Sequence, residues 1–436
     1  MCSAKLAAPL VSILTLGCKL NQSDSEAIAR RLIGEGVRVV DRPAAGADAV
    51  VVNSCSVTHV ADRKARHLVR QARRLSPGAQ VILTGCYAET APPGIAAAIG
   101  ADVVLPNAGK ASIAGRLLVH LAARGDPAAG CPTHLREGLR TRAFIKIQEG
   151  CNELCAFCIV PYTRGREVST PVERVVEQAQ ERQAEGVVEV VLTGTQLGNY
   201  GRDLGWAEAG PRRLLRALLE QTQLPRIRLS SLQAQDVSPD LLALWADGRL
   251  CPHFHLPLQS GSDSVLRQMR RRYTAADYRH AVALIRDRLP GVAITTDVIA
   301  GFPGETEADF EATLRLCEEM QFAAIHCFPY SRRPHTGAAI MPGHLPAPLR
   351  RERLERLLAL AAESSRTFRR RFLGGTLDVL WEQQQAGLWQ GLTGNYIRVY
   401  TAASDDLENR LRPARVMSLT ADGLAAQLRP CETTSA

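Results

Sequence analysis

The sequence has no run approaching the ~20 uninterrupted apolar residues that cross a bilayer, which excludes a helical membrane span. It lacks a convincing leader. Met1–Leu16 carries Lys5 and short apolar runs, and it continues straight into a strand-like segment, so the expected compartment is the cytoplasm, with no membrane partner. There is no internal repeat and no low-complexity tract beyond alanine-rich linkers. Acidic residues are in deficit: 44 Asp plus Glu face 53 Lys plus Arg, a net +9 that suits a polyanionic partner such as RNA. Cysteine is not scarce. Twelve of them in a reducing compartment argue against a disulfide framework and for metal, cluster or catalytic work.

What is missing around three of these cysteines is the most informative absence. Cys151, Cys155 and Cys158 lie in Gly150-Cys151-Asn152-Glu153-Leu154-Cys155-Ala156-Phe157-Cys158, and the nearest others are Cys131 and Cys251. Iron–sulfur clusters are normally closed by four cysteines. Three thiolates hold three corners of a [4Fe–4S] cubane and leave the fourth iron open to bind a small molecule and pass it an electron. Zinc is the competing reading, but a structural zinc site wants a fourth ligand. The C-x3-C-x2-C spacing resembles that of the radical S-adenosylmethionine (SAM) superfamily. The resemblance implies that SAM chelates the open iron, accepts an electron and breaks into methionine and a 5′-deoxyadenosyl radical. Phe157, inside the loop, is placed to pack on adenine or simply to fill the loop.

A chain of 436 residues suggests two or three domains. The expected fold class is α/β, in three parts: an open α/β domain, a partial (βα)6 barrel and a small C-terminal β-barrel. In the first ~130 residues, short apolar runs alternate with helical stretches such as Ser23–Gly34 and Thr58–Leu75. Three runs end in cysteine, at Leu16-Gly17-Cys18, Asn53-Ser54-Cys55 and Thr84-Gly85-Cys86. Ligands bind beyond the carboxyl ends of strands in open parallel sheets. Cys18, Cys55 and Cys86 are therefore expected to converge on a second cluster, with the preceding glycines letting backbone approach it. Three ordinary buried cysteines are the bland alternative. Leu118–Leu139 reads as a linker.

From Arg142 to Tyr330 six longer βα units suggest a partial barrel, with the Cys151 group at the mouth of its first strand. Downstream strand ends carry Thr193-Gly194-Thr195-Gln196, Gln259-Ser260-Gly261-Ser262 and Asp297 through Glu305. Gly194, Thr195, Gln259 and Asp297 are read as cofactor-binding candidates, or as parts of plain loops. His253 and His255 share a strand face, where barrel packing outweighs metal binding. Arg270-Arg271-Arg272 reads as a solvated face, or as a contact for RNA phosphate. A basic helix, Pro348–Arg371, precedes five short strands from Leu377 to Leu428, which suit a small RNA-binding barrel.

Across roughly residues 8 to 430 the chain resembles the methylthiotransferases, a radical-SAM family. The motifs are Leu16-Gly17-Cys18-Lys19-Leu20-Asn21-Gln22, Asn53-Ser54-Cys55-Ser56-Val57-Thr58, Thr84-Gly85-Cys86 and Pro161-Tyr162-Thr163-Arg164-Gly165-Arg166. The implied domains are an auxiliary-cluster domain at 8–120, a radical-SAM partial barrel at 137–366 and a TRAM RNA-binding barrel at 369–430. Leu192–Gly198, Arg226-Ile227-Arg228-Leu229-Ser230-Ser231 and Phe328-Pro329-Tyr330-Ser331 resemble the subgroup that acts on N6-threonylcarbamoyladenosine in tRNA. Gln233 and Gln235 depart from the usual pattern, standing where an acidic residue is common. So does the bulky Arg332–Thr336 stretch.

The resemblance implies two [4Fe–4S] clusters and SAM. Cys18, Cys55 and Cys86 would hold the sulfur-delivering cluster, and Cys151, Cys155 and Cys158 the radical-generating one. One SAM methylates the sulfur; a second makes the radical that removes hydrogen from adenine carbon 2. No catalytic side chain beyond the cluster ligands is expected. The implied partners are the tRNA anticodon stem-loop, an electron donor such as flavodoxin or ferredoxin, and a sulfur donor. Alternative substrates within the family are N6-isopentenyladenosine in tRNA and an aspartate of a ribosomal protein. A metal-containing RNA-binding protein without catalysis is the alternative of another class. Arg332 and Arg333 are expected either to face the carboxylate of the threonylcarbamoyl group or to meet solvent and phosphate. The β-rich tail holds no cluster cysteine, so its removal is expected to weaken tRNA binding and spare SAM cleavage; Cys431 reads as incidental.

Overall fold

The computed structural model describes residues 8–123, 141–208 and 210–429. Cys131, Cys431 and most of the expected linker lie outside these. The described chain divides into two compact units, one of residues 8–123, 149–168 and 331–339, the other of 141–148, 169–330 and 340–429.

The first unit is built on five parallel strands: β1 (Leu10–Thr15), β2 (Arg38–Val40), β3 (Ala49–Ser54), β4 (Gln80–Gly85) and β5 (Val103–Leu105), in the order β2-β1-β3-β4-β5. The side-chain alternation of β3 splits its apolar run between two cores. Val51 joins Val11, Ile28, Leu32 and Ile113 on one face. Val50 and Val52 join Leu14, Ala65 and Val69 on the other. The faces are covered by α1 (Lys19–Gly34) and α2 (His59–Leu75). Helix α1 begins four residues before the expected Ser23, directly after Cys18. A further helix, Ile113–Ala122, occupies the start of the expected linker because Ile113, Ala114, Leu117 and Leu121 are buried.

In the second unit six parallel strands form two three-stranded sheets. One holds Arg142–Lys146, Glu189–Thr193 and Arg226–Leu229; the other holds His253–His255, Ala293–Ala300 and Ala324–Pro329. Val172–Ala184, Arg212–Gln221, Ala275–Arg288 and Glu307–Met320 are the intervening helices. A shared core runs through both sheets, including Ile145, Leu192, Ile227, Phe254, Ile294 and Val298. Helix Ala347–Arg370 then leads into a closed barrel of five strands, Thr376–Gln385, Leu388–Thr393, Arg398–Thr401, Arg410–Leu419 and Leu424–Leu428. Its core packs Phe368 of that helix against Val379, Trp381, Trp389 and Val416.

The terminal barrel is not a separable appendage. Arg228, fully buried, pairs with fully buried Glu189 at 2.7 Å and donates to the carbonyls of Gly394 at 2.8 Å and Thr393 at 3.2 Å. Arg226 donates to the carbonyls of Leu392 at 2.9 Å and Asp378 at 2.6 Å. Deleting the tail would strip these buried guanidinium groups of their acceptors, a costly loss. Truncation therefore tests folding as well as RNA binding.

Candidate functional site

Strand order 2-1-3-4-5 puts the topological switch between β1 and β3, where open α/β sheets bind ligands. Cys18 follows β1, Cys55 follows β3 and Cys86 follows β4. Gly17 and Gly85 bring them together. Gly17 has φ +97°, and a Cβ there would lie 2.6 Å from Cβ and 2.9 Å from Sγ of Cys55. Gly85, at φ +91°, would drive a Cβ into the backbone of Ser54. Both glycines thus make room for the Cys55 loop, where sequence suggested room for a ligand. Cys18 stands at the N-cap of α1. Burial, with Cys86 and Cys18 adding to it, pushes the Cys55 thiol up to about 12.

Residues that sequence reasoning did not single out surround this trio. The Asn21 side chain donates to the carbonyls of Leu16 at 2.7 Å and Ser54 at 2.9 Å, tying the ends of β1 and β3. Lys110 pairs with Asp24 at 2.7 Å. Arg164 pairs with Asp24 and Glu149. Burial opposes the charge on Arg164, yet Cys86, Cys18, Asp24 and Glu149 hold it cationic. Asn21 and Arg164 sit inside the sequence motifs, but their bonds to Ser54 and to each other are long-range. Lys110 has no local signal at all.

Cys151, Cys155 and Cys158 belong to the same compact unit. Gly150, at φ +72°, packs on the backbone of Arg166, and Cys151 N–H donates to the Gly165 carbonyl at 3.0 Å. Burial raises the Cys151 thiol to about 11. Phe157 is half-buried. Ligands about 2.3 Å from one tetrahedral zinc lie about 3.8 Å apart. Among the described residues, only His255, Asp297 and His326 place three such donor atoms within 4.8 Å of one another. Neither cysteine trio is gathered that tightly. That disfavours a single tetrahedral zinc ion at either trio.

The other candidates lie in the second unit. Gly194 makes room for Leu197 and Gln148, whose Oε1 accepts the backbone N–H of Thr195 at 2.8 Å and of Gln196 at 2.9 Å. Thr195 Oγ1 and Ser230 Oγ are buried with no partner, a pattern that fits donors kept for a polar ligand. Gln259 is held at φ +66° by backbone bonds with Asp297 at 2.8 Å and Ile299 at 2.9 Å. Such strain persists where surroundings over-determine it, often at functional sites. Asp297 faces His255 at 3.3 Å and His326 at 3.1 Å. Burial works to raise its pKa, but both histidines outweigh it and hold the carboxyl well below its usual range. The other ring nitrogen of His255 meets Thr295 Oγ1 at 3.0 Å. His253 stacks on Tyr396 of the terminal barrel at 4.6 Å, and not within the βα-barrel interior as expected. Arg270 and Arg272 are exposed. Arg271 reaches Gln233 Oε1 at 2.7 Å, so the neutral amide serves where an acidic residue is common.

Arg333 is a correction. It is 3% exposed and donates to Asp62 at 2.8 Å and Ser56 at 2.8 Å, so it is not a carboxylate receptor for substrate. Arg332 is exposed.

Comparison with known proteins agrees with this chemistry. The Radical SAM superfamily profile matches residues 145–317, and the uncharacterized protein family UPF0004 matches residues 10–106. The chain is 34% identical over 425 residues to the threonylcarbamoyladenosine tRNA methylthiotransferase MtaB of Bacillus subtilis, covering 93% of each chain. The chain belongs to the radical-SAM methylthiotransferase family. Its cofactors are accordingly [4Fe–4S] clusters and SAM. Another methylthiotransferase relative, the tRNA-2-methylthio-N(6)-dimethylallyladenosine synthase of Jannaschia sp., is 33% identical over 437 residues, covering 95% of this chain and 93% of that one. The solved structure of the radical SAM methyltransferase TsrM from Kitasatospora setae superposes with a TM-score of 0.56 at 17% identity, over 76% of this chain and 75% of that one. It supports the fold alone.

Proposed function

We propose that the protein adds a methylthio group to carbon 2 of N6-threonylcarbamoyladenosine next to the anticodon of tRNA, in the cytoplasm. The carrying observation is that both cysteine trios lie in one compact unit, one of them at the carboxyl edge of a parallel sheet. The Bacillus subtilis relative bears the name of this reaction. Cys18, Cys55 and Cys86 would hold the auxiliary cluster; Cys151, Cys155 and Cys158 would hold the cluster that meets SAM. When bound, these groups supply the sulfur, the methyl group and the hydrogen-abstracting radical, with electrons from a flavodoxin- or ferredoxin-type donor.

The chain's own residues do the positioning. Phe157, inside the loop of Cys151, Cys155 and Cys158, offers a face to the adenine of SAM, and in the second unit the buried Thr195 Oγ1 and Ser230 Oγ are hydrogen-bonding groups left for a polar ligand. Buried Glu305, bonded to Arg353 at 2.7 Å, accepts the Gly301 N–H at 2.8 Å and fixes the turn after strand Ala293–Ala300. The net charge of +9 draws tRNA, and the terminal barrel grips its backbone. Exposed Arg332 offers a cation to the threonylcarbamoyl carboxylate.

Anaerobic reconstitution is expected to give about eight irons and about eight sulfides per chain, as two cubanes require. Replacing Cys151, Cys155 and Cys158 together by Ala should leave about half the iron and end SAM cleavage. Unchanged iron in that variant would remove the assignment. Zinc without SAM cleavage would make the protein a binding module instead.

A further inference from the structure

We infer that Arg164 is a positioning residue that fixes the spacing between the two cysteine loops, and so decides whether the radical and the sulfur meet at the same substrate carbon. The inference rests on the two-cluster reading above. Arg164 ends the short helix Val160–Arg164, just after Cys158. The backbone carbonyl of the next residue, Gly165, receives the N–H of Cys151 at 3.0 Å. Its side chain is 2% exposed and leaves that loop. One guanidinium nitrogen binds Glu149, two residues before Cys151. The other binds Asn21 Oδ1, and Asp24 Oδ2 at 3.5 Å, three and six residues after Cys18.

Asn21 passes the link on to the Leu16 and Ser54 carbonyls, which flank Gly17-Cys18 and Cys55. One planar, permanently charged group thus bonds to both ligand loops in fixed directions, something a flexible ammonium does poorly. The Asn107 side chain adds a second tether, to the Thr163 carbonyl. Lys110 shares Asp24 and Asn21, at 2.7 and 3.3 Å, so the carboxylate that Arg164 grips is itself pinned. None of these groups needs to touch substrate. Their effect is geometric, and a misplacement near 1 Å costs a reaction about a hundredfold.

The test uses reconstituted full-length protein with Arg164→Ala, Arg164→Lys and Asp24→Asn. Two readouts are taken: the magnetic interaction between the reduced clusters in electron paramagnetic resonance, and methylthio product per 5′-deoxyadenosine with tRNA. Arg164→Ala should assemble both clusters, alter their magnetic interaction and lower the product ratio about tenfold or more. Arg164→Lys should restore part of the ratio, and Asp24→Asn should lower it about threefold. If Arg164→Ala loses iron, the Lys and Asn variants decide. An unaltered magnetic interaction together with an unaltered product ratio would overturn the inference. If the parent protein makes no methylthio product, the proposed reaction fails, and the resonance spectrum alone still decides the role of Arg164.

Discussion

Cys18→Ala is expected to abolish methylthio transfer while 5′-deoxyadenosine is still formed. Cys18 caps α1 just beyond β1, and the glycine before it packs on Cys55. Its loss removes one of the three thiolates proposed for the sulfur-delivering cluster. Losing an outer-shell partner alone already costs about 10–100-fold in metal affinity or activity. Losing a ligand should bring the product to about a hundredth or less. The Cys151 loop keeps its own turn at Gly150 and its hydrogen bond from Cys151 to Gly165, so cleavage of SAM should persist without coupling. Both products are measured by mass spectrometry in one reaction. A variant that still makes the methylthio nucleoside would show that Cys18 is not an essential ligand.

The second large effect is on stability. Arg228→Ala should cost about 3–5 kcal/mol, because it strands Glu189, a fully buried carboxylate. Burial alone would raise the pKa of Glu189, but Arg228 first, with Arg142 and Arg226, holds it lowered. That stability is present above the ordinary glutamate range and is lost as pH falls through the depressed folded value. Thermal melts should show a fall on the order of 10 °C at neutral pH, and the gap from the parent should narrow in acid. A loss below about 1 kcal/mol would place the pair among those that break even.

The same pair shows what sequence could and could not convey. Arg226 and Arg228 stand in a motif that resembled the substrate subgroup, yet their side chains bond the terminal barrel. Local spacing carries no information about such partners. Arg333 is similar: its basic neighbourhood suggested a substrate contact, and its real partner, Asp62, lies 271 residues away in sequence. What was legible came from patterns that are local or repeated. Ala49–Ser54 is buried throughout, as a central parallel strand must be. Three strand ends carried cysteine, and β1, β3 and β4 are parallel neighbours that deliver them to one edge. The glycines before Cys18 and Cys86 were legible as special, but not what they make room for. The start of α1 was misread because Lys19–Gln22 lacks a helix-like apolar rhythm and Cys18 makes no side-chain cap. Helix Ile113–Ala122 was half hidden by the alanine and glycine that follow it.

The central claim, methylthiolation of a carboxylate-bearing adenosine in tRNA, is tested most directly by competition. Reconstituted enzyme is given equal amounts of tRNA bearing N6-threonylcarbamoyladenosine and tRNA bearing N6-isopentenyladenosine, and the nucleosides are analysed by mass spectrometry. The account predicts that the methylthio group appears first and predominantly on the threonylcarbamoyl nucleoside. Preferential methylthiolation of the isopentenyl nucleoside would contradict it.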